Sequence, residues 1–428
     1  MNNEQRLLSR RDCLKTIAAA SLGTIALPLA NGRSAVSAAD AVQPKTVAAV
    51  ITAYEKGLHA DVLLGKILEG WKYDNGPKPA LKLVSMYVDQ FTPRDMARPM
   101  AAKHGVMIAD NIEQALTLGQ NKIAVDGVIS IGEHGDYPWN EKGQHLYPRR
   151  RFFAGIAEAF EKYGKVAPVF NDKHLGPVWD DAKWMYDRAR QLKIPFMAGS
   201  SLPNGYRDPD VTVPMNSEIE AAVAIGYSGL DIYASHTLEC LQRFVERRRG
   251  AEQGVKWVQA VTGDAIWNAV DDGIVAKDVL EATLAVTPHG KPEDLRKTPE
   301  AVLFLFEYVD GFQGAVLMLP GYASSISTGV RVKGKPPVAC RFEERPEPHY
   351  PHFAYLLKAI ERMIHSGKPT YPVERTLLTS GILDRGLTSL AEKGRRIETP
   401  ELAIAYQPVD YPHAPAPELT SDPTAPWR

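Results

Sequence analysis

The sequence predicts an α/β domain built on a parallel sheet, followed by an α+β domain with an open antiparallel sheet. Three observations carry that prediction. From Lys45 to Pro203 short apolar runs alternate with stretches of helical periodicity, the pattern of strands joined by crossover helices. The apolar runs are nearly continuous, as strands buried on both faces require. After Asn204 the texture changes to alternating strands joined by turns, interleaved with amphipathic helices.

In chain order, strands are expected at "TVAAVIT" (46–52), "LKLVSMYVD" (81–89), "VDGVISIG" (125–132), "VAPVFND" (166–172) and "PFMAGSS" (195–201). Each is short and largely apolar. Helices are expected at "HADVLLGKILEGW", "DMARPMAAKHG", "NIEQALTLGQ", "RRFFAGIAEAFEKYG" and "WDDAKWMYDRARQLK". Beyond residue 204, "GYSGLDIYASHTLECLQRFVERRRG" reads as a turn leading into a helix. "VKWVQAVTG", "VLFLFEYVDGFQGAVLMLPGY" and "GVRVKG" read as antiparallel strands, and "HFAYLLKAIERMIHSG" as a helix stopped by Gly367. The proline-rich end is expected to be an extended or disordered tail. The expected organisation is a leader over 1–40, the parallel-sheet domain over 41–203, the α+β domain over 204–409 and the tail over 410–428.

A chain of 428 residues is long enough for two such domains. Its formal net charge of -1 gives neither nucleic acid nor an anionic membrane a reason to bind. The N-terminal stretch "SRRDCLKTIAAASLGTIALPLANGRSAVSAADA" has Arg10 and Arg11, then an apolar run, then small residues. That order is an export signal, and S-R-R-x-x-L-K is the twin-arginine form of it. The apolar run of about 13 residues falls short of the ~20 a membrane span needs. The mature chain is therefore expected in the periplasm or another extracytoplasmic compartment. Twin-arginine export moves folded proteins, which suits a tightly held cofactor. Only Cys240 and Cys340 follow the leader, so one disulfide is the most the mature chain can form, and their pairing is open.

Ligands of parallel sheets bind at the carboxyl ends of the strands. Here five strands run into polar, reactive residues: "ITAYEKGLHAD", "YVDQ", "IGEHGDYP", "FNDKHLG" and "GSSLP". That edge is the expected site. The first of these has the strand-turn-helix form of a dinucleotide-binding loop. It carries one glycine, Gly57, where three would let the backbone approach a pyrophosphate. Thr52 and Tyr54 stand where the first two would be, although the helix N-terminus would still attract an anion.

On these motifs the chain resembles the Gfo/Idh/MocA oxidoreductase family. "GLHAD" matches the end of the family's glycine loop and its His-Ala pair. "LVSMYVDQFTPRDMARPMAAKHGV" resembles its second strand, which ends in an acidic residue. In "VAPVFNDKHLGPVWDDAKW", Asp172, Lys173 and His174 stand at its Glu-Lys-Pro signature. In "GYSGLDIYASHTLE", Asp231 and His236 stand at its D-x-x-x-H, one residue further apart, and "YPVERTLLTSGILDRGLTSLAEKGRRIETP" resembles its closing helices. The resemblance implies a Rossmann-like dinucleotide-binding domain, a substrate and oligomerisation domain, NAD or NADP as cofactor, a carbohydrate-like substrate and a homo-oligomer. It places Lys173 and His236 in proton transfer, with Asp231 orienting the histidine. Burial can lower a lysine towards neutrality, which suits that role for Lys173. Cofactor contacts fall to Thr52, Ala53, Tyr54, Gly57, His59, Asp89, Glu133 and His134. Asp89 would meet a ribose 2′-hydroxyl and repel a 2′-phosphate, which favours NAD. His174 and Tyr137 fall to the substrate.

Each of these residues also has a plainer reading. Asp89 suits a strand-end turn, Asp231 a helix cap and His236 a packed core. No metal is assigned: His59, His134 and His174 with an acid have the chemistry, but no two share a short ligand spacing. Two other functions stay open. One is a cofactor-independent or metal-assisted lyase, isomerase or hydrolase on a degenerate Rossmann scaffold. The other is a non-catalytic carbohydrate-binding protein.

Overall fold

The computed structural model describes residues 42–290 and 294–424, so the expected leader lies outside the described residues. The first half runs β1 (Lys45–Ile51), α1 (His59–Glu69), β2 (Leu81–Val88), α2 (Ala97–His104), β3 (Met107–Ala109), α3 (Ile112–Thr117), β4 (Gly127–Ile131), α4 (Arg149–Tyr163), β5 (Val169–Asp172), α5 (Trp179–Leu192) and β6 (Phe196–Gly199). These strands form one parallel sheet in the order β3-β2-β1-β4-β5-β6. The order reverses between β1 and β4, which opens a crevice at their carboxyl ends. The five strands and five helices expected here are all present. The addition is β3, whose three residues are too few to show a period.

The second half runs β7 (Tyr206–Asp208), β8 (Ile219–Gly226), α6 (Ser235–Val245), β9 (Val255–Thr262), α7 (Asp264–Asp271), α8 (Lys277–Val286), β10 (Val302–Tyr308), β11 (Gln313–Met318), β12 (Ile326–Val332), β13 (Val338–Glu343), α9 (His352–Ser366), α10 (Glu374–Ala391) and β14 (Ile397–Glu398). Its sheet has the order β14-β9-β10-β11-β8-β12-β13-β7. Among the described residues the pairings are antiparallel except β8 with β11, so the sheet is mixed and mostly antiparallel.

Burial ties the halves together. One face of the first sheet packs with α4, α5, α6, α10 and one face of the second sheet in a continuous core. The other face is covered by α1 and α2, and by α9, which returns from late in the chain with Phe353, Leu356, Leu357, Ile360 and Met363 turned inward. Cys240 and Cys340 are free thiols in the core. No helix among the described residues is long and apolar enough to cross a membrane.

The proline-rich end is irregular over the residues described, but it is anchored. Tyr411 and Ala414 are buried. Arg243 of α6 donates to the Tyr411 carbonyl, and Lys358 of α9 donates to the carbonyls of Thr420 (2.9 Å) and Asp422 (2.7 Å). Buried cations need acceptors, and a proline-rich chain that cannot join a ladder has carbonyls to offer.

Candidate functional site

The site is built where β1, β4, β5 and β6 end. Two of those ends carry non-glycine residues in the left-handed region: His134 after β4 (φ 70°) and Lys173 after β5 (φ 64°). That conformation is uncommon for residues with a Cβ and persists where the surroundings impose it. For Lys173 the constraint is visible, since its N–H donates to the Gly199 carbonyl at 3.2 Å.

Lys173 is at the centre. Its Nζ lies 2.8 Å from His236 Nε2 and 3.4 Å from Glu133 Oε1. Glu133 Oε2 accepts from Arg149 Nη2 at 2.6 Å, and Arg149 Nη1 donates to His174 Nε2 at 3.0 Å. On the other side of His236, Nδ1 lies 2.5 Å from Ser200 Oγ. All of these side chains are buried. Burial pushes the Glu133 carboxyl up, but Lys173 and Arg149 overcome it and hold it well below the usual carboxylate range. Burial, reinforced by Lys173, holds His236 well below the usual imidazole value, and burial with Arg149 does the same to His174. Both imidazoles are therefore neutral at pH 7. An ammonium has three donors and no acceptor. His236 takes one from Lys173, Glu133 pairs with the ammonium by charge at 3.4 Å without a hydrogen bond, and the remaining N–H groups are left for a ligand.

His59, from the start of α1, reaches the same edge. Its Nδ1 is 2.6 Å from Asp172 Oδ2, and its ring lies 5.3 Å from that of His134 and 4.9 Å from that of Phe353. His134 is pushed down to about 4 by burial and by His59. Asp172 Oδ1, His134 Nε2 and Asp231 Oδ1 are buried without a hydrogen-bond partner among the described residues. Buried polar atoms are normally paired, so orphans at one sheet edge are what a polar ligand would satisfy. Among the described residues no three His, Cys, Asp or Glu side chains are arranged to hold a metal ion.

Two expectations need correction. Asp231 does not orient His236: its Oδ2 accepts the backbone N–H of His145 at 3.0 Å. The extra residue between Asp231 and His236 is absorbed by a π-helical turn over Leu230–Ala234, a one-residue bulge that re-aims the side chains before it. Ser200 holds the histidine instead. Asp89 does not present an unpaired charge at the end of β2, because it accepts from Tyr87 (2.7 Å), Tyr137 (2.6 Å) and Arg151 (2.6 Å). With Arg151 matching its charge, the repulsion that favoured NAD over NADP has no net charge behind it. Tyr137 accordingly has its hydroxyl on Asp89, at the rim, and His174 has Nε2 on Arg149.

Sequence reading missed Arg149 and Ser200. The signal for Arg149 was present. Three arginines, 149–151, open α4, where the helix dipole favours acidic side chains. Each is there because a carboxylate meets it: Glu133 for Arg149, Asp181 for Arg150 (2.7 Å) and Asp89 for Arg151. Ser200 had no such signal.

Burial raises the Asp231 carboxyl to about 6, against the opposing pull of the His145 N–H and Arg149. A rise from the ordinary aspartate value withholds about 3 kcal/mol of stability once the group ionises. The sign follows from the raised value: the contribution is fully present below the unfolded value near 4 and is lost as pH rises through about 6. Asp231→Asn, which keeps the acceptor for His145, is expected to be more stable than the parent at pH 8 and to lose that advantage at pH 4. Urea unfolding at the two pH values measures it.

The residues at the crevice fit a dinucleotide. The fear raised by Thr52 and Tyr54 was crowding, and both side chains turn away. Thr52 Oγ1 donates to the Glu133 carbonyl at 2.5 Å, and the Tyr54 ring is packed in the core with α1. Gly57 keeps φ at 77° in the turn. Leu58, the N-cap of α1, makes no side-chain cap hydrogen bond, so first-turn N–H groups are left to a ligand or water.

No family model matches the chain, and no curated protein does. Solved structures do. GenD2 from gentamicin A biosynthesis, in complex with NAD, matches with a TM-score of 0.53 at 13% identity over 84% of this chain and 97% of its own. Scyllo-inositol dehydrogenase from Lactobacillus casei, with bound NAD(H) and scyllo-inositol, matches with a TM-score of 0.53 at 10% identity over 83% and 99%. Myo-inositol 2-dehydrogenase from Lactobacillus plantarum gives 0.51 at 11% identity over 83% and 99%. At such identities the likeness establishes the fold: a Rossmann-like parallel-sheet domain joined to a second domain with a mostly antiparallel sheet.

Proposed function

We propose that this chain is an oxidoreductase that acts on a polyol, sugar or sugar derivative with NAD or NADP. The observation that carries the reading is the Lys173–His236 pair, 2.8 Å apart at the carboxyl edge of the parallel sheet, beside the reversal point where such folds take dinucleotides. The bound dinucleotides of GenD2 and the L. casei dehydrogenase, and the latter's bound inositol, support the same class.

The α1 N-terminus would hold the pyrophosphate beside the turn at Gly57, whose own N–H is taken by Asp61 Oδ2, with Thr52 to Tyr54 as the floor and Glu133 and His134 towards the ring end. A nicotinamide there supplies the hydride acceptor or donor. The chain's own residues do the rest. Lys173 meets the reacting hydroxyl with an N–H that His236 does not take. Lys173 passes a proton to the bare Nε2 of neutral His236, and the amine so formed takes the proton of the reacting hydroxyl. Glu133, held ionised by Lys173 and Arg149, keeps the ammonium in place and balances its charge. His59, fixed by Asp172, lines the same edge for a second hydroxyl. With the Arg10–Arg11 leader, the reading extends to an exported enzyme loaded with its cofactor before export.

The folded chain, loaded with NAD or NADP, is expected to reduce its nicotinamide when offered cyclic polyols and aldoses. Near-ultraviolet absorbance across a panel of such compounds checks this. A loaded protein inert to the whole panel would remove the substrate class.

A further inference from the structure

The catalytic pair has a second layer behind it. Ser200 directly follows β6, and its Oγ lies 2.5 Å from His236 Nδ1 while also accepting the Leu202 N–H at 3.1 Å. The backbone N–H of Ser200 donates to Glu239 Oε2 at 2.8 Å. Glu239 lies three residues beyond His236 on α6, one turn along the same face, and is buried. The space around it is tightly allotted. A Cβ on Gly199, which sits at φ 129°, would come within 2.7 Å of Glu239 Oε2 and 2.8 Å of Thr376 Oγ1.

We propose that Ser200 and Glu239 form a positioning pair that fixes His236 as the tautomer protonated at Nδ1. The Lys173 ammonium can only donate, so the imidazole nitrogen facing it, Nε2, must be bare. In a neutral ring the proton is then on Nδ1 and points at Ser200 Oγ. Ser200 can receive it because the Glu239 carboxyl anchors its backbone and the Leu202 N–H, donating to Oγ at 3.1 Å, holds the side chain in place. The opposite tautomer would set an N–H against the ammonium and leave no acceptor for the proton of Lys173. Burial raises Glu239 to about 7, and Glu239→Gln keeps the carbonyl acceptor for Ser200 in a group without charge. The inference rests on Lys173 and His236 being the proton-handling pair, and neither Ser200 nor Glu239 touches the reacting atoms.

The test is nitrogen-15 NMR on the histidine-labelled folded chain, with the His236 signals assigned by their loss in His236→Gln. A protonated Nδ1 and a bare Nε2 are expected in the parent and in Glu239→Gln. Ser200→Ala is expected to give a mixture of tautomers and to lower kcat about tenfold to a hundredfold with little change in KM, and Ser200→Thr to restore both. A parent spectrum with Nε2 protonated, or a Ser200→Ala spectrum unchanged from the parent, would overturn the proposal. A parent with the expected tautomer but no turnover on any polyol would sink the substrate reading and leave the positioning pair standing. If Ser200→Ala fails to fold, the spectra of the parent and of Ser200→Thr still decide.

Discussion

Replacing Lys173 with methionine is expected to cut kcat by about 10³-fold or more, with the fold kept. Methionine keeps the unbranched stem and lacks only the terminal ammonium, so the loss is that of the ammonium. His236 Nε2 loses its Lys173 donor, and the reacting hydroxyl loses the group that bridges it to the imidazole. Glu133 keeps Arg149 at 2.6 Å, so the buried carboxylate is not abandoned. Turnover and far-ultraviolet circular dichroism measured on the same sample separate the two effects. A variant within tenfold of the parent would take Lys173 out of the chemistry.

Arg149→Leu is expected to have the largest effect on stability, a loss of about 3 to 5 kcal/mol. Arg149 is buried, with Glu133 on one guanidinium nitrogen and His174 on the other. Its removal leaves Glu133 with Lys173 at 3.4 Å as its remaining cation. The pH dependence has a definite sign. In the parent, Glu133 is held well below the ordinary value, so its contribution is present above about 4 and is lost as pH falls through the lowered value. In the variant burial dominates and the value rises, so acid helps the variant as it harms the parent. The difference between them in urea unfolding therefore shrinks as pH falls from 7 to 4. Adding Glu133→Gln to Arg149→Leu is expected to recover part of the loss at pH 7. A single variant as stable as the parent would mean that the pair is not what holds β4 to α4.

How much of this was legible follows from how local each feature is. The strands and helices of the first sheet are written in periods of a few residues, whereas the reversal between β1 and β4 depends on which strands pair and is visible only in the sheet. Lys173 and His236 were singled out because each sits in a short motif at a terminus of an element, and the structure brings the two side chains to 2.8 Å. What failed depended on contacts between distant residues. Asp231 was paired with His236 on spacing alone, and the π-helical turn that absorbs the extra residue gave no signal in the sequence. Ser200 meets His236 from 36 positions away. The charge on Asp89 read as free because Arg151, 62 positions later, is invisible from β2. The loop at Thr52 and Tyr54 looked obstructive because a sequence gives residue size but not direction. Here the hydroxyl points at β4 and the ring into the core.

The dinucleotide is the centre of the account, and its presence can be measured without knowing the substrate. The full chain, folded in a cytoplasm and purified, would be denatured, and the released small molecules identified by absorbance and mass spectrometry. The account predicts NAD or NADP close to one per chain, retained in spite of the altered loop. A chain that comes out empty and also fails to bind added NAD or NADP would contradict it.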